Sequence, residues 1–374
     1  MARYYIIAGE ASGDMHAANL MREIMVKDRH ACFRFWGGDR MAELGGKPVR
    51  HINELAFMGF MEVAANLPTI LRNIRFCKRD IISFSPDVLI LVDYPGFNLR
   101  MAEFAHQQSF KVAYYISPQV WAWKQSRVAK IKRFVDKMLV ILPFEKEFYA
   151  KHGLEVEFPG HPLLDELDRD NPEEEHVFYE INKLPQKPIV ALLPGSRKQE
   201  ISRMLAKMVA VADYFPDYQF VVAGVPAFGT SYYNQFFKKN NISLVYNQTY
   251  SLLRHARAAL VASGTATLET ALLGAPQVVC YKANRVSYFI ARKLVKIKYI
   301  SLVNLIMDKP LVRELIQDGF SGQTLVGELD SILHDDTIRN TMLEGYAELK
   351  IRLGGTGASA RAAQCITDMI DSRP

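Results

Sequence analysis

Short apolar runs alternate with longer helical patterns along most of this chain of 374 residues. Each run has the length and the β-branched content of a buried strand, and helical stretches of ten or more residues separate the runs. Such alternation is typical of parallel strands joined by helices. The sequence therefore predicts an α/β protein with strands at Tyr4–Ala8, Phe33–Trp36, Val88–Val92, Val112–Ile116, Met138–Leu142, Ile189–Leu193, Phe220–Ala223, Leu244–Tyr246, Ala259–Ala262 and Gln277–Tyr281.

The chain is long for a single hydrophobic core, and its composition changes near the middle. The stretch 165–188 is rich in Asp and Glu and contains three prolines. We expect two doubly wound, Rossmann-like domains that face each other across a cleft, at residues 1–165 and 189–353, with a linker at 166–188. Glycines at 354, 355 and 357 end one helix. The last helix, at 356–374, is expected to pack on the first domain or on a partner subunit.

A net charge of +6 and a pI of about 8.9 favour a polyanionic partner. Basic residues lie among apolar and aromatic ones in three helical segments, 67–82, 121–137 and 289–300. Such segments suit an anionic membrane surface, and the alternative is that they are the solvated faces of helices packed on a core. Nucleic acid is not an expected partner, because no recognised binding module is present.

The cellular location is predicted from what the sequence lacks. Its four cysteines form no Cys-x-x-Cys pair, which indicates free thiols in a reducing compartment. No leader-like segment precedes the first predicted strand, and no apolar run is long enough to cross a bilayer. We therefore expect a cytoplasmic protein.

Two strand–helix turns of the second half indicate anion binding. The strand ending at Ala262 runs into Ser263-Gly264-Thr265, and a helical pattern follows at once. A turn of this kind presents unpaired backbone N–H groups to phosphates, and Glu269 lies one turn further on, within reach of a ribose diol. The alternative is an ordinary capped junction with a surface glutamate.

The second turn is Leu193-Pro194-Gly195-Ser196-Arg197. Its glycine permits close backbone approach, and Arg197 offers a charge-assisted fork to a phosphate. A cation at a helix start is mildly unfavourable, which favours a bound anion there. No metal-binding motif accompanies the turn, and Asp168-Arg169-Asp170 is interpreted as solvated charge in the acidic linker. We expect neither a metal nor a cofactor.

Carboxylates follow two predicted strands of the first half. Glu10 lies in the turn after the first strand, and Asp93 follows the most apolar strand of this half. A carboxylate at such a position suits general-base work on a hydroxyl, although Asp93 could cap a turn and Glu10 could cap a helix. His161 is interpreted as a packing or turn residue. The apolar loop 57–61 could receive acyl chains or belong to the core.

Taken together, these segments resemble the lipid-A-disaccharide synthase family, which are inverting glycosyltransferases of the two-domain GT-B type (family 19). The resemblance runs in the family's order over nearly the whole chain, and the block Ser-Pro-Gln-Val-Trp-Ala-Trp at 117–123 is its most distinctive part. The matching motifs are Gly9-Glu10-Ala11-Ser12-Gly13-Asp14, Met58-Gly59-Phe60-Met61-Glu62-Val63, Asp93 with Pro95, Phe97 and Asn98, Ser117–Lys124, Leu142–Glu145, Gly160-His161-Pro162, Leu192–Arg197, Ser263–Glu269 and Ser301–Leu305.

This resemblance implies transfer of 2,3-diacylglucosamine from its UDP conjugate to 2,3-diacylglucosamine 1-phosphate (lipid X), at the cytoplasmic face of the inner membrane of a Gram-negative bacterium. It implies Asp93 as the base for the acceptor hydroxyl and Glu10 as a required carboxylate. A homodimer that exchanges C-terminal segments is also implied. The residues expected to bind UDP are Gly195, Ser196, Arg197, Ser263, Gly264, Thr265, Glu269 and Asn304, and those expected at the acceptor or its lipid chains are Met58, Phe60, Gln119, Trp121 and Trp123.

Two positions depart from the family pattern. Gly96 stands where many members have a second Asp, which concentrates the case for the base on Asp93, and Ala11 replaces a common Thr. Three alternatives remain open. They are a UDP-N-acetylglucosamine 2-epimerase of the same architecture, a non-catalytic nucleotide-sugar sensor, and a related transferase with another lipid acceptor.

Overall fold

The computed structural model describes residues 1–45, 48–54, 67–123, 125–237, 241–284, 288–289 and 297–371. The chain divides into two compact units. One unit is Met1–Asp168 together with Leu353–Pro374, and the other is Arg169–Arg352. Each unit contains one six-stranded sheet in which every strand pair is parallel. The predicted α/β class with two Rossmann-like domains is confirmed.

The first sheet has the strand order β3-β2-β1-β4-β5-β6. Alternate side chains of β1 enter different cores, with Tyr5 and Ile7 on one face and Tyr4 and Ile6 on the other. Both faces of this sheet are therefore covered, as a doubly wound fold requires. Its strands are β1 (Arg3–Ala8), β2 (Cys32–Gly37), β3 (Arg50–His51), β4 (Val88–Val92), β5 (Lys111–Tyr115) and β6 (Lys137–Leu139).

Helices of the first unit follow its strands in the expected alternation. The longest is the basic helix predicted at 67–82, which extends over Leu67–Phe84. The helices are α1 (Ala11–Lys27), α2 (Asp39–Ala42), α3 (Leu67–Phe84), α4 (Pro95–Gln107), α5 (Val120–Trp123), α6 (Val128–Phe134), α7 (Phe144–Ala150) and α8 (Leu163–Arg169), with short 3-10 turns at Ile52–Glu54 and Gln125–Arg127.

The second sheet has the order β12-β11-β10-β7-β8-β9, which repeats the topology of the first. Its strands are β7 (Ile189–Leu193), β8 (Gln219–Gly224), β9 (Ile242–Tyr246), β10 (Ala256–Ala262), β11 (Gln277–Tyr281) and β12 (Arg313–Ile316). Its helices are α9 (Glu175–Ile181), α10 (Lys198–Ala210), α11 (Gly229–Asn234), α12 (Thr249–His255), α13 (Thr265–Leu272), α14 (Leu302–Met307), α15 (Gly322–His334) and α16 (Asp336–Arg352), with 3-10 turns at Val211–Tyr214, Pro226–Phe228 and Gln317–Gly319.

The acidic segment expected as a linker contains parts of two helices. Helix α8 extends to Arg169, and α9 begins at Glu175. Phe178 and Tyr179 of α9 are buried in the core of the second unit. The part of the chain without regular structure between these helices is therefore short.

The last helix, α17 (Ala358–Asp371), belongs to the first unit. Its apolar face packs in the same core as α1. The carboxylate of Asp165 accepts backbone N–H bonds from Gly357 (2.6 Å) and Ser359 (2.7 Å) at the start of α17. Arg361 donates to the carbonyl of Pro159 (2.6 Å). These contacts fasten the C-terminal helix to the end of the first domain.

Each sheet has one point at which the strand order reverses. In the first sheet it lies between β1 and β4, and in the second between β7 and β10. Loops leave the carboxyl ends of neighbouring strands in opposite directions at such a point, which opens a crevice that commonly binds ligands. The turns singled out in the sequence follow these four strands.

Candidate functional site

Asp93 directly follows β4 at the reversal point of the first sheet. Asp93 and Tyr94 both have left-handed backbones, with φ of 44° and 48°. Such a conformation costs on the order of 1 kcal/mol for a residue other than glycine, and it persists only where its surroundings hold it. The amide of Asn98 donates to the carbonyl of Asp93 (2.8 Å), and the hydroxyl of Tyr114 donates to the same carbonyl. The position of Asp93 is therefore fixed through its backbone.

The carboxyl group of Asp93 has a pKa well above that of an ordinary aspartate. Burial raises its pKa to about 6, and the negative charge of Glu10 adds to the shift. The backbone N–H of Tyr94 opposes it by bonding to the ionised form. A carboxylate with this pKa is a stronger base than an ordinary aspartate and is still ionised at pH 7.

Glu10 lies in the turn between β1 and α1. It occupies the N-cap position of α1, but its side chain makes no capping hydrogen bond to the described residues. The preceding Gly9 packs against the ring of Tyr94 so closely that a Cβ there would lie 2.4 Å from the ring. Gly9 thus allows the turns after β1 and β4 to approach each other, which brings Glu10 near Asp93.

Asn98 is a positioning residue that the sequence did not single out as part of the site. Its buried amide also donates to the carbonyl of Val92 (3.2 Å), so it holds the end of β4 from the first turns of α4. The motif itself allowed this role to be predicted, because the side-chain amide of a residue five positions after the candidate base can reach back to the end of the strand. Only the fold shows that it does so.

Two other residues of the matching motifs have structural roles. The buried carboxylate of Asp14 accepts N–H bonds from Gly38 (2.6 Å) and Arg40 (3.1 Å) and so caps α2. His161 is buried and accepts the N–H of Leu163 through Nδ1 (3.2 Å). Burial lowers its pKa to about 3, so the ring is neutral, in keeping with a turn residue.

The second reversal point forms a cavity of about 450 Å³ within the second unit. It lies at the carboxyl ends of β7 and β10, where α10 and α13 begin. The structure brings seven of the eight residues expected to bind UDP to its walls. These are Gly195, Ser196, Arg197, Ser263, Gly264, Thr265 and Glu269.

Gly195 shapes one wall of this cavity. Its φ of 107° lies in the left-handed region, and a Cβ there would lie 2.5 Å from a carboxylate oxygen of Glu200. Glu200 in turn accepts the N–H of Arg197 (3.3 Å) in a capping box that starts α10. The exposed guanidinium of Arg197 lies 3.8 Å from the same carboxylate. A glycine is therefore needed for the turn to present Arg197 at the cavity.

Glu269 also lines this cavity, from the second turn of α13. Burial raises the pKa of its carboxyl group, and the hydroxyl of Tyr250 at 3.5 Å moderates the shift. The hydroxyl of Ser263 donates to the carbonyl of Ile300 (3.0 Å), which ties the end of β10 to the segment before α14. A desolvated carboxylate beside a helix start suits a ligand with both hydroxyls and phosphates.

Asn304 is the expected UDP residue that does not line the cavity. Its amide is buried in α14, donates to the carbonyl of Val312 (2.8 Å) and to Glu314 (2.9 Å), and accepts the N–H of Val312 (2.9 Å). These bonds connect α14 to β12. The described contacts of Asn304 are thus those of a structural residue.

The residues expected at the acceptor lie partly outside the described part of the chain, where Met58 and Phe60 fall, along with Lys124 and most of 289–300. Gln119 is exposed, and Trp121 packs edge-on against Phe144, with ring centres 5.0 Å apart. Trp123 is 50% exposed, with the guanidinium of Arg127 5.5 Å from its ring.

Glu145 is a buried carboxylate at the start of α7, close to Ser117 and Trp121. It accepts the N–H groups of Ile141 (3.2 Å) and Leu142 (3.0 Å). Burial raises its pKa to about 7.

The described residues contain neither a cluster of metal-ligating side chains nor a membrane-spanning helix. No group of three or more His, Cys, Asp or Glu side chains is placed to hold a metal ion among them. No helix in the described ranges has the length and hydropathy needed to cross a membrane.

Comparison with known proteins identifies close relatives along the full length. The sequence model of the family described as lipid-A-disaccharide synthetase matches residues 4–366. The lipid-A-disaccharide synthase of Trichlorobacter lovleyi is 37% identical over 379 residues, covering 99% of this chain and 98% of that protein.

Solved structures share the fold at low identity. The kitacinnamycin glycosyltransferase superposes with a TM-score of 0.70 at 12% identity, over 99% of each chain. A UDP-N-acetylglucosamine 2-epimerase, described as putative, from Listeria monocytogenes gives 0.66 at 12% identity, over 99% of this chain and 96% of that one. Because a transferase and an epimerase fit similarly, the fold alone does not choose between these activities.

Proposed function

Because the chain belongs to the lipid-A-disaccharide synthetase family, we propose that it transfers 2,3-diacylglucosamine from its UDP conjugate to 2,3-diacylglucosamine 1-phosphate. Membership makes the chain a glycosyltransferase of lipid A biosynthesis. The products of the proposed reaction are a β-1,6-linked disaccharide 1-phosphate and UDP. The structural observation that supports this proposal independently of family membership is the cavity at the second reversal point. Two helix starts, Arg197 and Glu269 line this cavity.

The UDP moiety of the donor would bind in this cavity. Backbone N–H groups at the start of α13 and the Arg197 guanidinium would hold the diphosphate, and Glu269 would accept hydrogen bonds from the ribose hydroxyls. As the bond between the sugar and UDP breaks, negative charge grows on the leaving phosphate. Fixed donors stabilise that charge without reorganising, so they lower the barrier.

Asp93 would act as the base for the acceptor. Its carboxylate takes the proton of the 6-hydroxyl, the oxygen attacks the anomeric carbon, and UDP leaves from the opposite face with the bonding pair. This single displacement inverts α to β. Glu10 contributes by raising the proton affinity of Asp93, because its negative charge lies close to the Asp93 carboxylate. The acceptor and its acyl chains would contact Met58, Phe60, Gln119, Trp121 and Trp123.

Membrane association is proposed from the outer face of α3. Ile74, Cys77 and Ile81 of this helix point into the core, so its apolar stripe is not the membrane surface. The exposed side chains recur at helical spacing and combine basic with apolar groups, which suits an anionic bilayer surface. These exposed residues are Leu71, Arg72, Arg75, Arg79 and Ile82. We place the enzyme at the cytoplasmic face of the inner membrane, where both acylated substrates reside.

A homodimer formed by exchange of C-terminal segments is also proposed. The first domain holds α17 through Asp165 and the packing on α1, and an identical helix from a second chain could make the same contacts. Positive φ angles at Gly354 (86°) and Gly355 (66°) mark the point where the chain could redirect.

The test of the proposed function is UDP release by purified protein given the UDP-diacylglucosamine donor in EDTA. We expect release and disaccharide formation only when diacylglucosamine 1-phosphate is present, and loss of both in Asp93→Ala. Release without the acceptor would favour the epimerase. UDP binding without turnover, unchanged in Asp93→Ala, would favour a sensor.

A further inference from the structure

A second cavity, of about 480 Å³, lies at the other end of the second sheet. It opens where β7 and β10 begin, since Pro188 and Ala256 line it and Ile189 pairs with Ala256. The cavity that would take UDP lies at the carboxyl ends of the same strands. Strands of five residues rise roughly 17 Å at about 3.3 Å per residue, so the two cavities are separate. We name this one the edge cavity.

Positive charge dominates the lining of the edge cavity. Tyr179 also lines it, and the Tyr179 hydroxyl donates to the carbonyl of Lys187 (2.8 Å). Glu175 contributes a carboxylate from the exposed rim. Four basic side chains outnumber it, namely Lys187, Arg254, Arg257 and Arg339.

Two of these charges are poorly compensated. Arg254 forms an ion pair with Asp170 (2.8 Å). Arg257, by contrast, pairs among the described residues only with the 85%-exposed carboxylate of Asp336, at 4.0 Å, and such a surface pair contributes little. Arg339 forms no ion pair with any carboxylate of the described residues, and its guanidinium donates to the carbonyl of Arg257 (2.6 Å).

The two arginines also oppose each other's charge. Burial lowers the pKa of Arg339 and the positive charge of Arg257 lowers it further, while the exposed carboxylate of Asp336 opposes the shift only in part. Holding two guanidinium groups together in a concave site costs free energy unless an anion lies between them. The planar fork of arginine matches the oxygens of a phosphate, and a bound phosphate would remove the repulsion.

We propose that the edge cavity is a second anion site, in which Arg257 and Arg339 bind the phosphate group of a phosphate monoester. The cavity has room for more than the phosphate, and Tyr179 offers a surface for the group that carries it. The shared chemistry is the monoester phosphate, which either a soluble metabolite or a lipid headgroup can supply.

The first experiment is calorimetric titration of the full chain with inorganic phosphate at low ionic strength. We expect saturable binding that weakens about tenfold or more in Arg257→Gln and in Arg339→Gln, because each loses charged hydrogen bonds. Lys350→Gln is the matched control, since it removes one exposed charge from the same helix as Arg339, and its affinity should stay within about twofold. Neither arginine lines the UDP cavity, so any difference reports on the edge cavity alone.

A second arm distinguishes the sources of the phosphate. Cosedimentation with phosphatidylcholine vesicles that contain phosphatidic acid is compared between the wild type, Arg257→Gln and Lys350→Gln. Loss of binding in Arg257→Gln alone identifies a lipid headgroup, whereas unchanged sedimentation with weakened phosphate binding identifies a soluble phosphate. Equal phosphate affinity in wild type, Arg257→Gln and Arg339→Gln would overturn the proposal. Should Arg339→Gln fail to fold, Arg257→Gln decides, because the contact with Arg339 is made by the backbone carbonyl of Arg257, which this substitution keeps.

Discussion

At the scale of single residues, the candidate base combines reactivity with a cost in stability. Burial beside Glu10 raises the pKa of Asp93 from an ordinary 3.8 to about 6. The native state therefore binds a proton more tightly than the unfolded chain, and stability falls as pH rises from about 4 through 6. Above pH 6 the ionised group lowers stability by at most about 3 kcal/mol, taking 1.36 kcal/mol per pKa unit.

Asp93→Asn should accordingly remove activity while raising stability. We expect the melting temperature of the variant at pH 8 to exceed that of the wild type, and the difference to vanish below about pH 4, where both side chains are neutral. For the wild type, kcat/KM should rise about tenfold per pH unit below 6 and level off above it. An equally stable or less stable variant at pH 8 would contradict the assigned environment. A wild-type profile that is flat between pH 5 and 7 would contradict Asp93 as the base.

At the scale of secondary structure, sequence pattern predicted every strand of the two sheets except one edge strand of each. All ten predicted strands are present, because buried parallel strands are near-continuous apolar runs. The sequence missed β3 (Arg50–His51) and β12 (Arg313–Ile316), which lie at sheet edges. These two edge strands are short and contain charged residues, so they carry little apolar signal.

The candidate sites were predicted unevenly, for a similar reason. Strand-end turns can be recognised locally, and seven of the eight expected UDP residues share one cavity. Asn304 and Asp14 instead bond to residues outside their own helices, Val312 and Gly38 among them. No local pattern shows which partner a buried amide or carboxylate will find. The binding residues and the structural residues of these motifs can therefore be distinguished only once the fold is known.

The turn before α10 provides a test at this scale. Gly195→Ala should weaken UDP binding, because the added Cβ displaces Glu200 and with it the capping box that presents Arg197. Gly274→Ala is the matched control, since Gly274 also has a positive φ (81°) but open space around its Cβ position. Both variants should lose about 1 kcal/mol of stability from backbone strain. Only Gly195→Ala should raise the Kd for UDP, about tenfold or more by calorimetry, and equal affinities in the two variants would refute this role for the turn.

At the scale of the whole molecule, the proposed membrane binding can be tested by reversing the charges on the outer face of α3. Replacing Arg72, Arg75 and Arg79 with Glu should abolish cosedimentation with vesicles that contain phosphatidylglycerol, because each basic residue near an anionic surface contributes about 1 kcal/mol. A control with Lys151, Lys183 and Lys350 changed to Glu makes the same change in net charge on exposed positions elsewhere. Binding that falls equally in both variants would show that only net charge matters.

The proposed exchange of the C-terminal helix α17 between two chains can be tested by covalently linking α17 to α1. The Lys27 ammonium on α1 donates to the Gln364 side chain on α17 (2.6 Å), so cysteines at these positions lie within reach of a short bis-maleimide. In a variant whose four native cysteines are replaced by serine or alanine, Lys27→Cys with Gln364→Cys should give a covalent dimer on a denaturing gel if α17 is exchanged. The same pair within one chain gives a monomer of altered mobility. A monomer alone, at concentrations where light scattering reports a dimer, would mean that the dimer forms without exchange. Each single-cysteine variant should give no product, because its α1 and α17 then carry only one reactive thiol between them.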